Sequence, residues 1–167
     1  MMMLIKGASD DRFIISVKTD NAGTSANNQF TIPTSGTGFN YTVTTDDGYE
    51  ATGLTGNHTI TFPSGAGEHV VRIEGDFPYI YFNNGGDKLK LLEIQNFGFY
   101  TVGTGQRRAF YGCSNLDITA TDTGDFSNVT TFRELFRSCS SLTSFPLIDT
   151  SSSISFERAW FSCSSLT

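Results

Sequence analysis

The side chains able to do chemistry in this chain are few and widely spaced. Its two histidines, His58 and His69, each sit in a stretch of alternating character. Such a histidine reads as a sheet residue with one wet face, not as a base or a metal ligand. Cys113, Cys139 and Cys163 are separated by 26 and 24 residues, whereas zinc sites and disulfide frameworks need clustered or paired spacings. No histidine or other base recurs at a matching phase to activate them, so they read as buried thiols. Asp46-Asp47 ahead of Gly48 could hold Ca²⁺ with nearby carbonyls. It lacks the alternating Asp/Asn ladder of a dedicated loop, so the expectation is an ordinary turn. Gly103-Thr-Gly105 has neither the strand nor the helix of a nucleotide site, and the Gly-x-Ser-x-Gly, His-Glu-x-x-His and phosphate-loop patterns are absent from the sequence. Two carboxylates suffice for glycoside hydrolysis, but sequence cannot place a pair in space. The expectation is no catalytic residue, no cofactor and no metal. Asn57-His-Thr59 and Asn128-Val-Thr130 match glycosylation acceptors, which matter only on a eukaryotic secretory route.

The totals narrow the field further. The chain has 167 residues, 38% of them hydrophobic, with 15 Phe and 6 Tyr, enough for a packed core. Formal charge is −6 and the sole basic pair is Arg107-Arg108, which argues against nucleic acid as a partner. No apolar run reaches the ~18 residues that a spanning helix needs, so no membrane insertion is expected. The first residues lack the apolar stretch and cleavage site of a secretion signal.

What must position these groups is a repeated phrase. Phe110-Tyr-Gly-Cys113-Ser-Asn-Leu116 returns as Phe136-Arg-Ser-Cys139-Ser-Ser-Leu142 and as Trp160-Phe-Ser-Cys163-Ser-Ser-Leu166. Residues 125–143 and 149–167 align without a gap, with nine identities in nineteen positions. A fixed period in this range marks units that stack because none can bury its apolar face alone. Asp125 and Asp149 recur with the period and read as structural turns or caps. Val129, Phe132, Leu135 and Phe136 fall at i, i+3, i+6 and i+7, which predicts a helix of about two turns. Ser153, Phe156, Ala159 and Trp160 predict a second one, with Asn128 and Ser152 as caps. Leu116-Asp-Ile118 predicts a short strand. The last unit stops after its Cys phrase, which would leave Cys163 and Leu166 at an uncovered edge; a longer chain or a covering partner is expected there.

Ahead of the repeats, residues 1–11 read as a polar lead-in. Period-two alternation then predicts strands near 12–18, 29–33, 39–43, 49–52, 58–62 and 68–74, separated by turn residues and suggesting an antiparallel sandwich. The dense run Phe77, Tyr79, Ile80, Tyr81 and Phe82 reads as core and domain junction, since large exposed apolar patches are uncommon. No binding patch is assigned. Lys88–Ile94 belongs to an atypical first unit, and the sandwich is placed to shield it. The expected domains are 12–86, 87–109 as a capping unit, and 110–167 as the repeats.

Two resemblances follow from these residues. Tyr41-Thr-Val43 leading to Asp47-Gly48, with Thr61-Phe62 and Gly67-Glu-His-Val-Val-Arg-Ile73, resembles polycystic-kidney-disease-type domains, immunoglobulin-like sandwiches of surface proteins. Phe-x-x-Cys-Ser-x-Leu with Asp149-Thr-Ser resembles the BspA-like leucine-rich repeats of bacterial surface and phage-encoded proteins. The second resemblance implies an α/β solenoid, a short helix plus a short strand per unit, in which Phe110, Cys113, Leu116, Phe132, Phe136, Cys139, Leu142, Phe156, Trp160, Cys163 and Leu166 are structural positions. Together they imply a non-enzymatic attachment module. Its partners would be a protein or glycan on a host or particle surface, and other chains of the same particle. A virion surface is the expected location, because virion proteins reach the outside without a secretion signal; a bacterial cell-surface adhesin is the alternative. The non-catalytic part of a carbohydrate-active enzyme is the rival of a different class.

Overall fold

A computed structural model of the chain describes residues 10–98, 100 and 103–167. The residues expected to form the start of the lead-in, 1–9, lie outside it. Strands form where branched and aromatic side chains alternate with polar ones, because only that period puts one row inward and one row outward. They are β1 (Phe13–Lys18), β2 (Gln29–Ile32), β3 (Asn40–Thr45), β4 (Glu50–Leu54), β5 (His58–Thr61), β6 (Glu68–Asp76), β7 (Leu91–Asn96) and β8 (Asp117–Ile118). In β1 the inward row is Phe13, Ile15 and Val17; in β6 it is His69, Val71 and Ile73.

One sheet has the order β4-β3-β6-β1-β7-β8 and a second pairs β2 with β5. Every pairing in the large sheet is antiparallel except β7 with β8, which is parallel, so the sheet is mixed. Strand β7 lies beyond the expected boundary at residue 86, yet it pairs directly with β1. The sheet therefore runs unbroken from the front half into the repeats, and one hydrophobic core spans both.

The expected α/β leucine-rich-repeat solenoid is not what the chain forms. Among the described residues there is no helix, and the protein is all-β. The apolar spacing at 129–136 and 153–160, read as two short helices, is instead produced by consecutive tight turns. Leu135, Arg137 and Cys139 each donate their amide to the carbonyl three residues back, on Phe132, Glu134 and Phe136. The amides between them donate to the next unit: Phe132 to Ser155, Glu134 to Glu157, Phe136 to Ala159 and Ser138 to Phe161. A helix would use every one of those amides internally and leave none to bridge units. Positive φ enforces the turns, at Arg108, Glu134 and Arg158 (60°, 55° and 55°) and again at Gly112, Ser138 and Ser162 (85°, 62° and 62°). Both sets recur at the repeat phase, and neither conformation belongs in a right-handed helix.

The same arrangement joins the preceding unit. Gln106, Arg108, Phe110 and Gly112 donate to Thr131, Arg133, Leu135 and Arg137. The ladder begins still earlier, where Phe82 and Asn84 donate to Ala109 and Tyr111, with Asn84 at a φ of 62°. Phe82 thus stands one unit before Phe110. The aromatic run 77–82 is the junction: Phe77, Ile80 and Phe82 are buried, and in place of a strand it forms a single bridge from Ile80 to Thr34.

Candidate functional site

Stacked coils sort side chains into columns, one residue per coil, at a spacing close to the ~4.8 Å between paired strands. Inner columns build the core. Phe110 lies over Phe136 with ring centroids 5.1 Å apart and planes 6° from parallel, and Phe132 lies over Phe156 at 5.3 Å and 9°. Cys113, Cys139, Leu116 and Leu142 are fully buried. The thiols form a column of their own: Cys139 Sγ is 3.1 Å from the Phe110 carbonyl and Cys163 Sγ is 3.0 Å from that of Phe136. Burial pushes all three thiols above their ordinary value, the reverse of what a nucleophile requires. In the last coil Trp160, Cys163 and Leu166 are only partly buried.

The outer columns carry the chemistry. Arg137 sits between Tyr111 and Phe161, its guanidinium carbon 4.9 Å and 5.7 Å from the two ring centroids. Beside it, Arg108, Glu134 and Arg158 alternate in sign. Glu134 is buried and accepts from Arg108 Nε at 2.6 Å and from Arg137 Nη1 at 2.5 Å. The bond from Arg108 is the largest influence holding the Glu134 carboxyl below its ordinary value, against the upward push of burial. Arg133 pairs with Glu157 at 3.3 Å. A serine column, Ser114, Ser140 and Ser164, runs alongside, with the hydroxyls of Ser140 and Ser164 directed to the carbonyls of Ser114 and Ser140 at 3.3 Å and 3.5 Å. Near the last coil, Leu147 is 95% exposed, Ile154 89% and Phe161 56%. No outer column was marked as a site from the sequence; the signal was present in the aligned phrases, where Tyr111, Arg137 and Phe161 share one position.

The remaining chemistry-bearing groups are spread out. Asp125 Oδ1 accepts from the Ser127 amide at 3.0 Å and hydroxyl at 2.6 Å, and Asp149 Oδ1 from the Ser151 amide at 2.9 Å, so both shape turns. His58 Nε2 is 2.7 Å from the Tyr49 hydroxyl, and burial lowers its pKa. His69 stacks on Phe62 at 4.0 Å and lies beside Asp46 and Asp47. That meeting of three groups was invisible in the sequence, since β6 brings His69 to the turn after β3 only through sheet pairing.

A structural site that sequence reading missed clamps the long loop 19–28. Asp87, fully buried, accepts from the amides of Thr24 (2.8 Å), Ser25 (3.0 Å) and Thr31 (2.7 Å) and from Ser25 Oγ (2.6 Å). Lys90, also buried, holds its ammonium 2.8–3.1 Å from the carbonyls of Ser25, Ala26 and Gln29 and from Ser25 Oγ, four acceptors that share its three N–H groups. Gly23 leaves the room: a Cβ there would fall 2.5 Å from Asp87 Oδ1 and 2.7 Å from Lys90 Cε.

Set against protein families, curated proteins and solved structures, the chain matches none of them.

Proposed function

We propose that this chain is a non-enzymatic attachment or structural module, displayed on a surface and binding through the outer columns of its coil stack. The observation that supports the reading is the column Tyr111–Arg137–Phe161, a guanidinium between two aromatic rings with Phe161 largely exposed at its end. Aromatic rings interleaved with guanidinium suit an extended ligand, a sugar chain or a peptide, that can lie along the coils. The partner in this reading is a protein or glycan on a host or particle surface. The resemblance of the Cys phrase to BspA-like surface repeats is the reason to assign the module to a virion surface, with a bacterial cell surface as the alternative. Buried, high-pKa thiols and a histidine held by a phenol favour binding over turnover.

The test is retention of the labelled chain on bacterial cells and on purified surface polysaccharides. Replacing Phe161, which is largely exposed, by Ala should weaken binding by about tenfold, the equivalent of ~1.4 kcal/mol, while leaving the far-ultraviolet circular dichroism unchanged. Release of reducing ends or peptide fragments from any of these ligands by the purified chain would overturn the reading in favour of an enzyme.

A further inference from the structure

The structure assigns a second site, unrelated to the coil columns, at the start of β6, an inner strand of the large sheet, beside the turn after β3. His69 on β6 is 6% exposed and its ring is fixed on both sides. One face stacks on Phe62 with planes 19° apart, and Nε2 lies 3.1 Å from the Gly65 carbonyl. A carbonyl can only accept, so Nε2 carries a proton, and Nδ1 is the ring nitrogen left to present a lone pair whenever the ring is neutral. That lone pair points at two further acceptors, Asp46 Oδ1 at 3.5 Å and Asp47 Oδ2 at 3.9 Å. One potential ligand atom from each of the three residues lies within 4.8 Å of the other two, and the grouping of two carboxylates with a ring nitrogen is one that a cation would balance.

We propose that Asp46, Asp47 and His69 bind a divalent first-row transition-metal ion, with Zn²⁺ the best match. An imidazole nitrogen with two carboxylate oxygens is a borderline donor set that suits zinc and its neighbours, whereas Ca²⁺ takes six to eight oxygens. Ligands bound at ~2.0–2.1 Å in a tetrahedron stand ~3.4 Å from one another, close to the two nitrogen–oxygen separations. Two carboxylates carry two negative charges; a proton on Nδ1 would offset one, and a divalent ion offsets both.

The supporting contacts are those that orient ligands in metal sites. The Nε2–H bond to Gly65 fixes which ring nitrogen is free. Asp47 is held by the Ser64 amide (3.0 Å) and hydroxyl (2.9 Å) on Oδ2 and by Thr45 Oγ1 (2.5 Å) on Oδ1. Asp46 Oδ1 accepts from the Val70 amide at 3.1 Å, which leaves it a second lone pair. The Asp46 side chain is 39% exposed, so the fourth position of a tetrahedron opens to solvent.

The test is a Co²⁺ titration of the intact chain after chelator treatment, read by visible d–d absorption, followed by displacement with Zn²⁺. A Cys163→Ser background removes the least buried thiol, and sulfur-to-metal charge transfer in the near ultraviolet reports any ion that goes to cysteine. We expect one Co²⁺ bound through nitrogen and oxygen, displaced by Zn²⁺, with affinity reduced at least ~10-fold in His69→Gln and in Asp46→Asn. Asp46→Asn carries the test if loss of the imidazole disturbs the packing on Phe62, because the amide oxygen still accepts from Val70. Absence of d–d absorption, sulfur charge transfer alone, or equal affinity in Asp46→Asn would overturn the assignment.

Discussion

Asp87 shows how much one side chain can organise. Burial alone would raise its pKa, but the hydrogen bonds from Ser25 and Thr31 outweigh that and hold it below the ordinary carboxylate range. Replacement by Asn keeps the shape and turns an NH₂ toward donors, which should cost ~2–4 kcal/mol of stability at neutral pH. The pH dependence follows from the direction of the shift. A folded pKa below the unfolded value of ~3.9 gives stability that is complete above about pH 5 and disappears as pH falls through the folded value. Urea unfolding at several pH values should therefore show the gap between wild type and Asp87→Asn closing in acid; a gap that stays constant would count against the clamp. At this scale the sequence was a poor guide. Asp87 and Lys90 sat in a stretch read as the start of a new unit, and nothing local announces that their partners are 56 to 65 residues away.

Among the elements, the strands were legible and the repeat turns were not. Six alternating stretches before residue 77 all form strands, because period two has one structural meaning when a single face is buried. The spacing of Val129, Phe132, Leu135 and Phe136 has two. A helix puts such residues on one face, and a coil of successive turns puts them inside its curve, where all four are buried. Gly112 was the discriminating residue. It occupies the position of Ser138 and Ser162, its φ is 85°, and a Cβ on it would run into Asn84. A glycine inside the phrase argues for a left-handed residue there and against a helix. Ser138, at a φ of 62°, provides the check. Ser138→Gly should be neutral or stabilising by up to ~1 kcal/mol, and Ser138→Val should fall below it by ~1–2 kcal/mol, as measured by chemical denaturation. Were these turns helical, the order would reverse.

At the scale of the whole molecule, the sequence suggests a sandwich, a cap and an array with a boundary after residue 86. The hydrogen bonds between β1 and β7 cross that point and the core is shared. Sequence carries no mark of sheet continuity, since strand partners are chosen by three-dimensional packing. The two halves should consequently unfold together. Trp160 is the single tryptophan and reports on the last coil, so Ile15→Ala in β1 should lower the unfolding midpoint seen by tryptophan fluorescence as well as that seen by circular dichroism. A fluorescence transition indifferent to Ile15→Ala would mean two independent bodies. The coils themselves divide into two kinds of segment. The turn-bearing spans 105–113, 131–139 and 155–163 are equal in length, while the arcs between them, 113–131 and 139–155, differ by two residues. At the level of the gene this partition is permissive in one place and strict in another. Unequal recombination can add or delete whole coils, and small insertions can accumulate in the arcs, without losing a rung. A single inserted codon between Gly105 and Cys113 would swap inward-turning amides for outward-bridging ones from that point on, and unzip the ladder.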